Sequence, residues 1–185
     1  MTSELLQSKP GRADLHVRLH EIERQLLGVK RLLAEDKREL PSAPFHALEI
    51  PLGGQSYLVP VEPVREVVQA VWPSALPESP PWVLGTFRYG PLLLPMIDLA
   101  GRLFGRRTRL TPDLVVIILE RPKRVGVLAP LPDSVIEVHP GALSPPDPEI
   151  SQSPWIVGTF SEHSEAGAHL LSVERLGREF VLADA

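Results

Sequence analysis

The sequence contains no cysteine in 185 residues. Disulfide bridges, thiolate nucleophiles and thiolate metal sites are therefore excluded. Because 43% of the residues are hydrophobic, a chain of this length can build its own core without covalent staples. The composition predicts a folded soluble protein of a reducing compartment, and the cytoplasm is the expected location.

Long apolar segments are also missing. No stretch approaches the roughly 20 apolar residues that a membrane-spanning helix needs, and the N-terminus lacks the unbroken apolar region of a secretory signal. The sequence therefore predicts no direct membrane insertion.

An excess of positive charge is absent, since the formal net charge is −4. Nucleic-acid binding depends on a surplus of Lys and Arg, so no nucleic-acid partner is expected. One local basic run contains Arg102, Arg106, Arg107 and Arg109. It lacks a glycine-rich cradle and stacking aromatics, which favours a solvated loop after a short helix over a phosphate site.

Patterns that carry catalysis are missing as well. No nucleophile elbow, GxGxxG or Walker spacing occurs. His16 and His20 are four residues apart on a predicted helix, but zinc needs three or four converging ligands. We therefore predict that the chain is not an enzyme, has no catalytic residues and binds no metal or cofactor.

The 21 prolines and 13 glycines interrupt nearly every segment after residue 41 and predict short strands joined by turns. Residues 45–50 and 57–61 flank a Gly-Gly turn and read as a β-hairpin. Residues 64–68 read as a third strand that completes one side of a small barrel. Residues 113–120 form a continuous apolar run, typical of a strand covered on both faces. A mainly β fold is expected.

One stretch of the chain occurs twice. Residues 81–87 read PWVLGTF, and 73 positions later residues 154–160 read PWIVGTF. A second match follows in the same order, between IDLAGRLF at 97–104 and VERLGREF at 173–180. This repetition predicts two related β-modules in tandem. Asp98 is expected to cap a short helix, with Glu174 as its counterpart.

The N-terminal region differs from the rest. Residues 1–13 read as a flexible tail, and residues 14–40 as an amphipathic helix that ends before Pro41. Its apolar seam has spacings of four and three: Leu15, Leu19, Ile22, Leu26, Val29 and Leu33. Two interpretations remain open, because this seam suits either packing on the chain's own globular part or a coiled coil with another copy or a partner helix.

The order and spacing of several segments resemble the CheW-like family, which comprises bacterial chemotaxis coupling proteins and the matching regulatory domain of the CheA kinase. The resemblance covers residues 45–182. The segments are LVPV at 58–61, VREVV at 64–68, PWVLG at 81–85, LPMIDL at 94–99, VGVL at 125–128 and LLSVERL at 170–176. It implies two tandem SH3-like five-stranded β-barrels, here preceded by the long N-terminal α-helix.

The resemblance also implies a function. Family members are non-enzymatic adaptors in which one module binds the regulatory domain of a CheA-type histidine kinase. The groove between modules takes the helical cytoplasmic tip of a chemoreceptor. The implied role is coupling a receptor to the kinase in chemosensory signal transduction, with self-association through the N-terminal helix as an addition. An alternative is a divergent regulator recruited to another partner in motility, polarity or gene-expression control.

By position, the resemblance places Val64 and Glu66 at the groove or its margin, and Leu92 belongs to the same predicted partner-binding set. The family's usual Asn-Leu-Arg-Gly is replaced here by residues 88–91, Arg-Tyr-Gly-Pro. Gly90 therefore occupies the place of the family arginine. Arg88 lies two residues earlier, and residues two apart on a strand share a face. We hypothesise that Arg88 substitutes for it from about 6 to 7 Å away.

Overall fold

The computed structural model describes residues 40–121, 123–146, 153–162 and 167–178. The predicted tail at 1–13, the predicted helix up to residue 39 and its apolar seam lie outside the described residues.

The described residues form short strands joined by turns, as the proline and glycine content predicts. The strands are β1 (Phe45–Leu52), β2 (Gln55–Pro60), β3 (Val64–Gln69), β4 (Val83–Tyr89), β5 (Leu92–Asp98), β6 (Leu114–Leu119), β7 (Val125–Pro130), β8 (Ser134–Val138), β9 (Leu143–Ser144), β10 (Ile156–Phe160) and β11 (Ala168–Leu171). The helices are α1 (Leu99–Phe104), α2 (Val173–Arg178) and a 3-10 turn, Pro140–Ala142.

The strands form two sheets with the same plan. Module A is the six-stranded sheet β8-β1-β2-β11-β10-β9 followed by α2, and module B is the five-stranded sheet β3-β6-β7-β5-β4 with α1. In each module the second strand of an antiparallel hairpin, β1–β2 or β6–β7, pairs in parallel with the strand that precedes the module's helix, β11 or β5. Two related β-modules are therefore present.

The sheets depart from the predicted tandem five-stranded barrels in two respects. Module A has a sixth strand, the two-residue β9, and the modules exchange strands along the chain. The strand β3 does not complete a barrel with β1 and β2 but pairs with β6 in the other sheet. Likewise β8 returns to β1. Local patterns cannot show this exchange, because the side-chain period of a strand does not specify its neighbour.

The core lies in three layers that follow strand alternation. Leu114, Val116 and Ile118 of β6 point into module B, while Val115, Ile117 and Leu119 pack in the cluster shared with module A. All six side chains are buried. The apolar run at 113–120 is thus a strand covered on both faces, as predicted, although it belongs to the module that contains the first Pro-Trp copy.

Each module is closed by a segment that crosses the glycine of the repeated stretch. The backbone of Ser74 pairs with Thr86 through N–O distances of 2.7 and 2.8 Å, and Ser144 pairs with Thr159 in module A. A Cβ atom on Gly85 would lie 2.0 Å from the carbonyl oxygen of Ser74. The closing backbone therefore requires a glycine there.

Asp98 caps α1, as the sequence predicts. Its carboxylate accepts hydrogen bonds from the Gly101 amide at 2.9 Å and from the amide and hydroxyl of Thr108 at 2.5 and 2.7 Å. In module A the equivalent residue is Ser172, whose hydroxyl accepts from the Arg175 amide at 3.3 Å. The assignment of Glu174 was wrong, because Glu174 lies inside the first turn of α2. The structurally equivalent residue therefore lies two positions before the one that the sequence match assigns.

Candidate partner-binding site

The two Pro-Trp segments meet at the boundary between the modules. The backbone carbonyl of Trp82 accepts from the Asp98 amide at 2.9 Å, and that of Trp155 accepts from the Ser172 amide at 2.7 Å. The guanidinium carbon of Arg102 lies 4.4 Å from the Trp82 ring centroid and 3.4 Å from that of Trp155. One cation thus contacts both copies of the repeat.

This position corrects the interpretation of the basic run. Arg102 does not belong to a solvated loop, since it is partly buried between the two indole rings. Arg106, Arg107 and Arg109 are exposed, as expected for a solvated loop. The sequence could not separate them, because the placement of Arg102 depends on a residue 53 positions away, Trp155.

The predicted partner-binding residues all belong to module B. Val64 and Glu66 lie on β3, Arg88 lies on β4, Gly90 lies in the following turn and Leu92 begins β5. The structure brings β3 and the β4–β5 turn together, since the Tyr89 hydroxyl donates a hydrogen bond to the Glu66 carboxylate. As β3 and β4 are the outer strands of the sheet, this contact closes the barrel.

The electrostatics of this corner depend on paired charges. The hydrogen bond to Glu66 raises the pKa of Tyr89 above its ordinary value, with desolvation as the next cause, so the phenol remains a donor at neutral pH. Arg65 is paired with Glu120, and this hydrogen bond raises the pKa of the guanidinium. The corner therefore presents fixed hydrogen-bonding groups rather than freely rotating charges.

The other predicted residues differ in exposure. Val64 and Leu92 are partly buried, Val64 against the core between the modules and Leu92 against the interior of module B. Gly90 has a φ of 55°, which places it in the turn after β4 ends. Strand alternation therefore does not relate Arg88 to position 90, and substitution of the family arginine by Arg88 stays a hypothesis.

His169 is a buried histidine that the sequence analysis does not single out. The structure buries it within β11, with 2% of its surface exposed. Its ring centroid lies 5.3 Å from that of Tyr57, and neither ring nitrogen has a hydrogen-bond partner. The sequence feature that indicates this burial is the apolar context of the histidine, since β11 reads AHLL. All four residues of the strand are buried.

Burial of His169 predicts a pH dependence of stability. Desolvation lowers its pKa below the ordinary value, so the unfolded chain binds more protons below about pH 6.5. The stability should be complete above that pH and fall as the pH decreases. We expect the free energy of unfolding in urea to fall as the pH is lowered from 6.5 to 5.5, with His169 contributing to that drop.

Two variants test this dependence. Replacing His169 with Phe should reduce that drop, whereas replacing the exposed His139 with Gln should leave it intact. An equal pH dependence in wild type and His169→Phe would contradict the assignment.

Three further findings concern the described residues. Across the described ranges, no group of three or more His, Cys, Asp or Glu could hold a metal ion. The buried carboxylate of Glu49 accepts hydrogen bonds from Ser56 and Ser134, both at 2.9 Å. In the same part of the chain, no helix is long and apolar enough to cross a membrane.

Comparison with known proteins identifies the family. A family model described as the CheW-like domain matches residues 46–180. A probable chemotaxis protein CheW from Rhizobium etli is 34% identical over 101 residues, which cover 54% of this chain and 64% of that protein. The chain thus spans slightly less than two thirds of the length of that curated relative.

The fold is shared with a solved structure. The crystal structure of scaffolding protein TtCheW from Thermoanaerobacter tengcongensis superposes with a TM-score of 0.63 at 20% identity, covering 74% of this chain and 89% of that one. At this identity the likeness concerns the fold. Together with the family match over most of the sequence, it leads to one conclusion: the chain belongs to the CheW-like domain family.

Proposed function

We propose that this protein is a non-enzymatic adaptor that couples a chemoreceptor to a CheA-type histidine kinase. The observation that carries the proposal is the pair of equivalent modules around Trp82, Arg102 and Trp155, in a chain of the CheW-like family. The two barrels share one hydrophobic cluster. The distance and the angle between their outer faces are therefore constant. An adaptor needs this property, because it must bind two proteins at once without doing chemistry.

Support for a binding role also comes from the corner of module B. Glu66, Tyr89 and the Arg65–Glu120 pair form a network of polar groups on the outer strands, next to the partly buried Val64 and Leu92. A fixed polar rim beside apolar side chains is the usual anatomy of a protein interface. We propose that this corner contacts the kinase regulatory domain or the receptor tip.

Pairwise binding tests the proposal. Purified full-length chain should bind a CheA-type regulatory domain and a receptor cytoplasmic fragment in calorimetric titrations. Glu66→Ala should weaken one of these two interactions by about ten-fold, because removal of a hydrogen-bonded partner at an interface typically costs 1 kcal/mol or more. Glu137→Ala, on the outer strand β8 of module A, is the matched control and should leave both unchanged. A folded protein that binds neither fragment would overturn the proposal.

The N-terminal seam supports a second prediction. If residues 14–40 form a coiled coil, the double change Leu19→Asp and Leu26→Asp should lower the mass measured by light scattering to that of one chain, because charges at seam positions cannot be buried. The control double change, Arg18→Asp with Arg24→Asp, introduces the same charges outside the seam. It should leave the measured mass unchanged. An unchanged mass in the seam variant would remove self-association from the proposal.

One observation favours the alternative, a divergent regulator with a partner outside chemosensory arrays. The family arginine is replaced by Gly90, whose φ of 55° is a conformation that favours glycine, although a Cβ at this position would meet nothing within 4 Å. Restoring the arginine by Gly90→Arg distinguishes the two functions. Under the adaptor proposal, receptor binding should be retained or strengthened. A receptor bound only by Gly90→Arg would support the alternative.

A further inference from the structure

Module B exposes two large apolar side chains on its outer face. Trp72 is 80% exposed and Leu93 is 67% exposed. The other two tryptophans, Trp82 and Trp155, contact Arg102 at the module boundary. Single exposed apolar residues are common, but exposed large side chains that lie together mark interaction sites.

The strand register brings these side chains into one row. Ser74 and Thr86 form an isolated antiparallel bridge, and continuing that register by two residues places Trp72 opposite Arg88. Arg88 pairs in turn with Leu93 of β5. The row points outward, because the neighbouring Phe87 and Leu94 point into module B. We call Trp72, Arg88 and Leu93 the docking row.

Charge and side-chain type define what the docking row can bind. Arg88 is exposed and makes no ion pair within the described residues. A guanidinium group binds a carboxylate through two parallel hydrogen bonds. Trp and Arg are also the residues most often responsible for binding energy in interfaces. The complementary surface is therefore apolar at both ends and acidic in the middle.

The spacing of the row points to a helix. Trp72 and Leu93 are two strand spacings apart, about 10 Å. Residues i and i+7 of an α-helix are separated by nearly the same rise, about 10 Å, with i+3 and i+4 midway between them. We propose that the docking row binds an amphipathic helix of a partner protein that has apolar residues at i and i+7 and a carboxylate at i+3 or i+4.

An added β-strand fits this face less well. The backbone of Thr86 is bonded to Ser74 on one side, and Thr86 pairs with Pro95 of β5 on the other. A strand that pairs with a sheet edge needs free backbone groups, and those of Thr86 are already bonded. Side-chain contact with the outer face remains, and a helix provides it.

The docking row lies on the outer face of the module B sheet, four residues along β5 from Ile97, where that face packs in the cluster between the modules. The inference does not require that a receptor or kinase be the partner. It adds Trp72 and Leu93 to the binding surface and gives Arg88 a role that is independent of the family arginine.

A designed peptide tests the inference directly. The probe is a lactam-stapled helical peptide with Leu at i and i+7 and Glu at i+3 and i+4, titrated into the full-length chain. A matched peptide carries Lys in place of both Glu residues. The Glu peptide should bind at least about ten-fold more tightly than the Lys peptide. Equal affinity for the two peptides, or no binding of either, would overturn the inference.

Protein variants locate the site. Trp72→Ser and Leu93→Ser should each weaken the Glu peptide by about ten-fold or more, and Arg88→Glu should reverse the preference in favour of the Lys peptide. Val135→Ser, which removes an exposed apolar side chain of module A, should bind like wild type. Because all four side chains are exposed, the thermal unfolding temperature of each variant should be close to that of wild type. Undiminished binding by Trp72→Ser and Leu93→Ser would also overturn the inference.

Discussion

Replacing Arg102 with Ala should lower the free energy of unfolding by about 2 to 4 kcal/mol. A cation over an aromatic face contributes about 0.5 to 2 kcal/mol, with the higher values where water is excluded. Arg102 contacts two indole rings, and one of them, Trp155, is 7% exposed. Removal of its side chain would also leave a gap between the modules. Chemical denaturation monitored by circular dichroism measures the change.

Two further variants make this experiment specific. Arg107→Ala removes the same group from an exposed position in the following loop and should change the stability by less than about 0.5 kcal/mol. Arg102→Lys keeps the charge but loses the planar group that stacks on the rings, so an intermediate loss is expected. Equal stabilities of Arg102→Ala and Arg107→Ala would show that the Trp–Arg–Trp contact does not hold the modules together.

Gly85→Ala should destabilise module B by about 3 to 5 kcal/mol. Gly85 has a φ of 135°, a conformation that costs other residues about 1 to 3 kcal/mol. The added Cβ would lie 2.0 Å from the carbonyl oxygen of Ser74, so the closing segment would have to move and lose its hydrogen bonds to Thr86. The midpoint of urea unfolding measures the loss.

The repeat provides an internal comparison for this prediction. At Gly158 the Cβ would lie 3.3 Å from the carbonyl oxygen of Ser144 and 2.7 Å from the side-chain end of Leu40, which can rotate away. Gly158→Ala should therefore cost less than Gly85→Ala. Gly141→Ala meets nothing within 4 Å and should be nearly neutral. If all three variants unfolded at the same urea concentration, the account of barrel closure would be wrong.

The repeated Pro-Trp stretch made the duplication visible in the sequence, because each copy carries the same local requirements. Trp82 and Trp155 serve the same contact with Arg102. Gly85 and Gly158 lie under equivalent closing strands. The apolar run of β6 and the cap at Asp98 were also predictable, since burial on two faces and helix capping depend on neighbours in sequence.

What could not be predicted depends on residues far apart in the chain. The pairing of β3 with β6 joins Val67 to Ile117, and nothing in the local pattern of either strand specifies the other. The burial of His169 depends on Tyr57 of the parallel neighbour β2. The hydrogen bond between Glu66 and Tyr89 requires that the two outer strands meet. Each depends on which strands become neighbours in the two sheets.

The docking row was missed for a similar reason. Trp72 lies in a proline-rich loop of the sequence, and its alignment with Arg88 follows only from the bridge between Ser74 and Thr86. The sequence assigned Arg88 to the predicted partner-binding set through its distance along the chain from Gly90. The structure instead relates Arg88 to its cross-strand partner Leu93.

The adaptor proposal is tested most directly by the mass of a three-component mixture. Full-length chain, a CheA-type regulatory domain and a receptor cytoplasmic fragment should form one complex containing all three in analytical ultracentrifugation. The Arg102→Ala variant, with its modules less firmly joined, should form less of it. If the receptor fragment and the kinase domain displaced each other, or if neither sedimented with the chain, the protein would not be an adaptor between them.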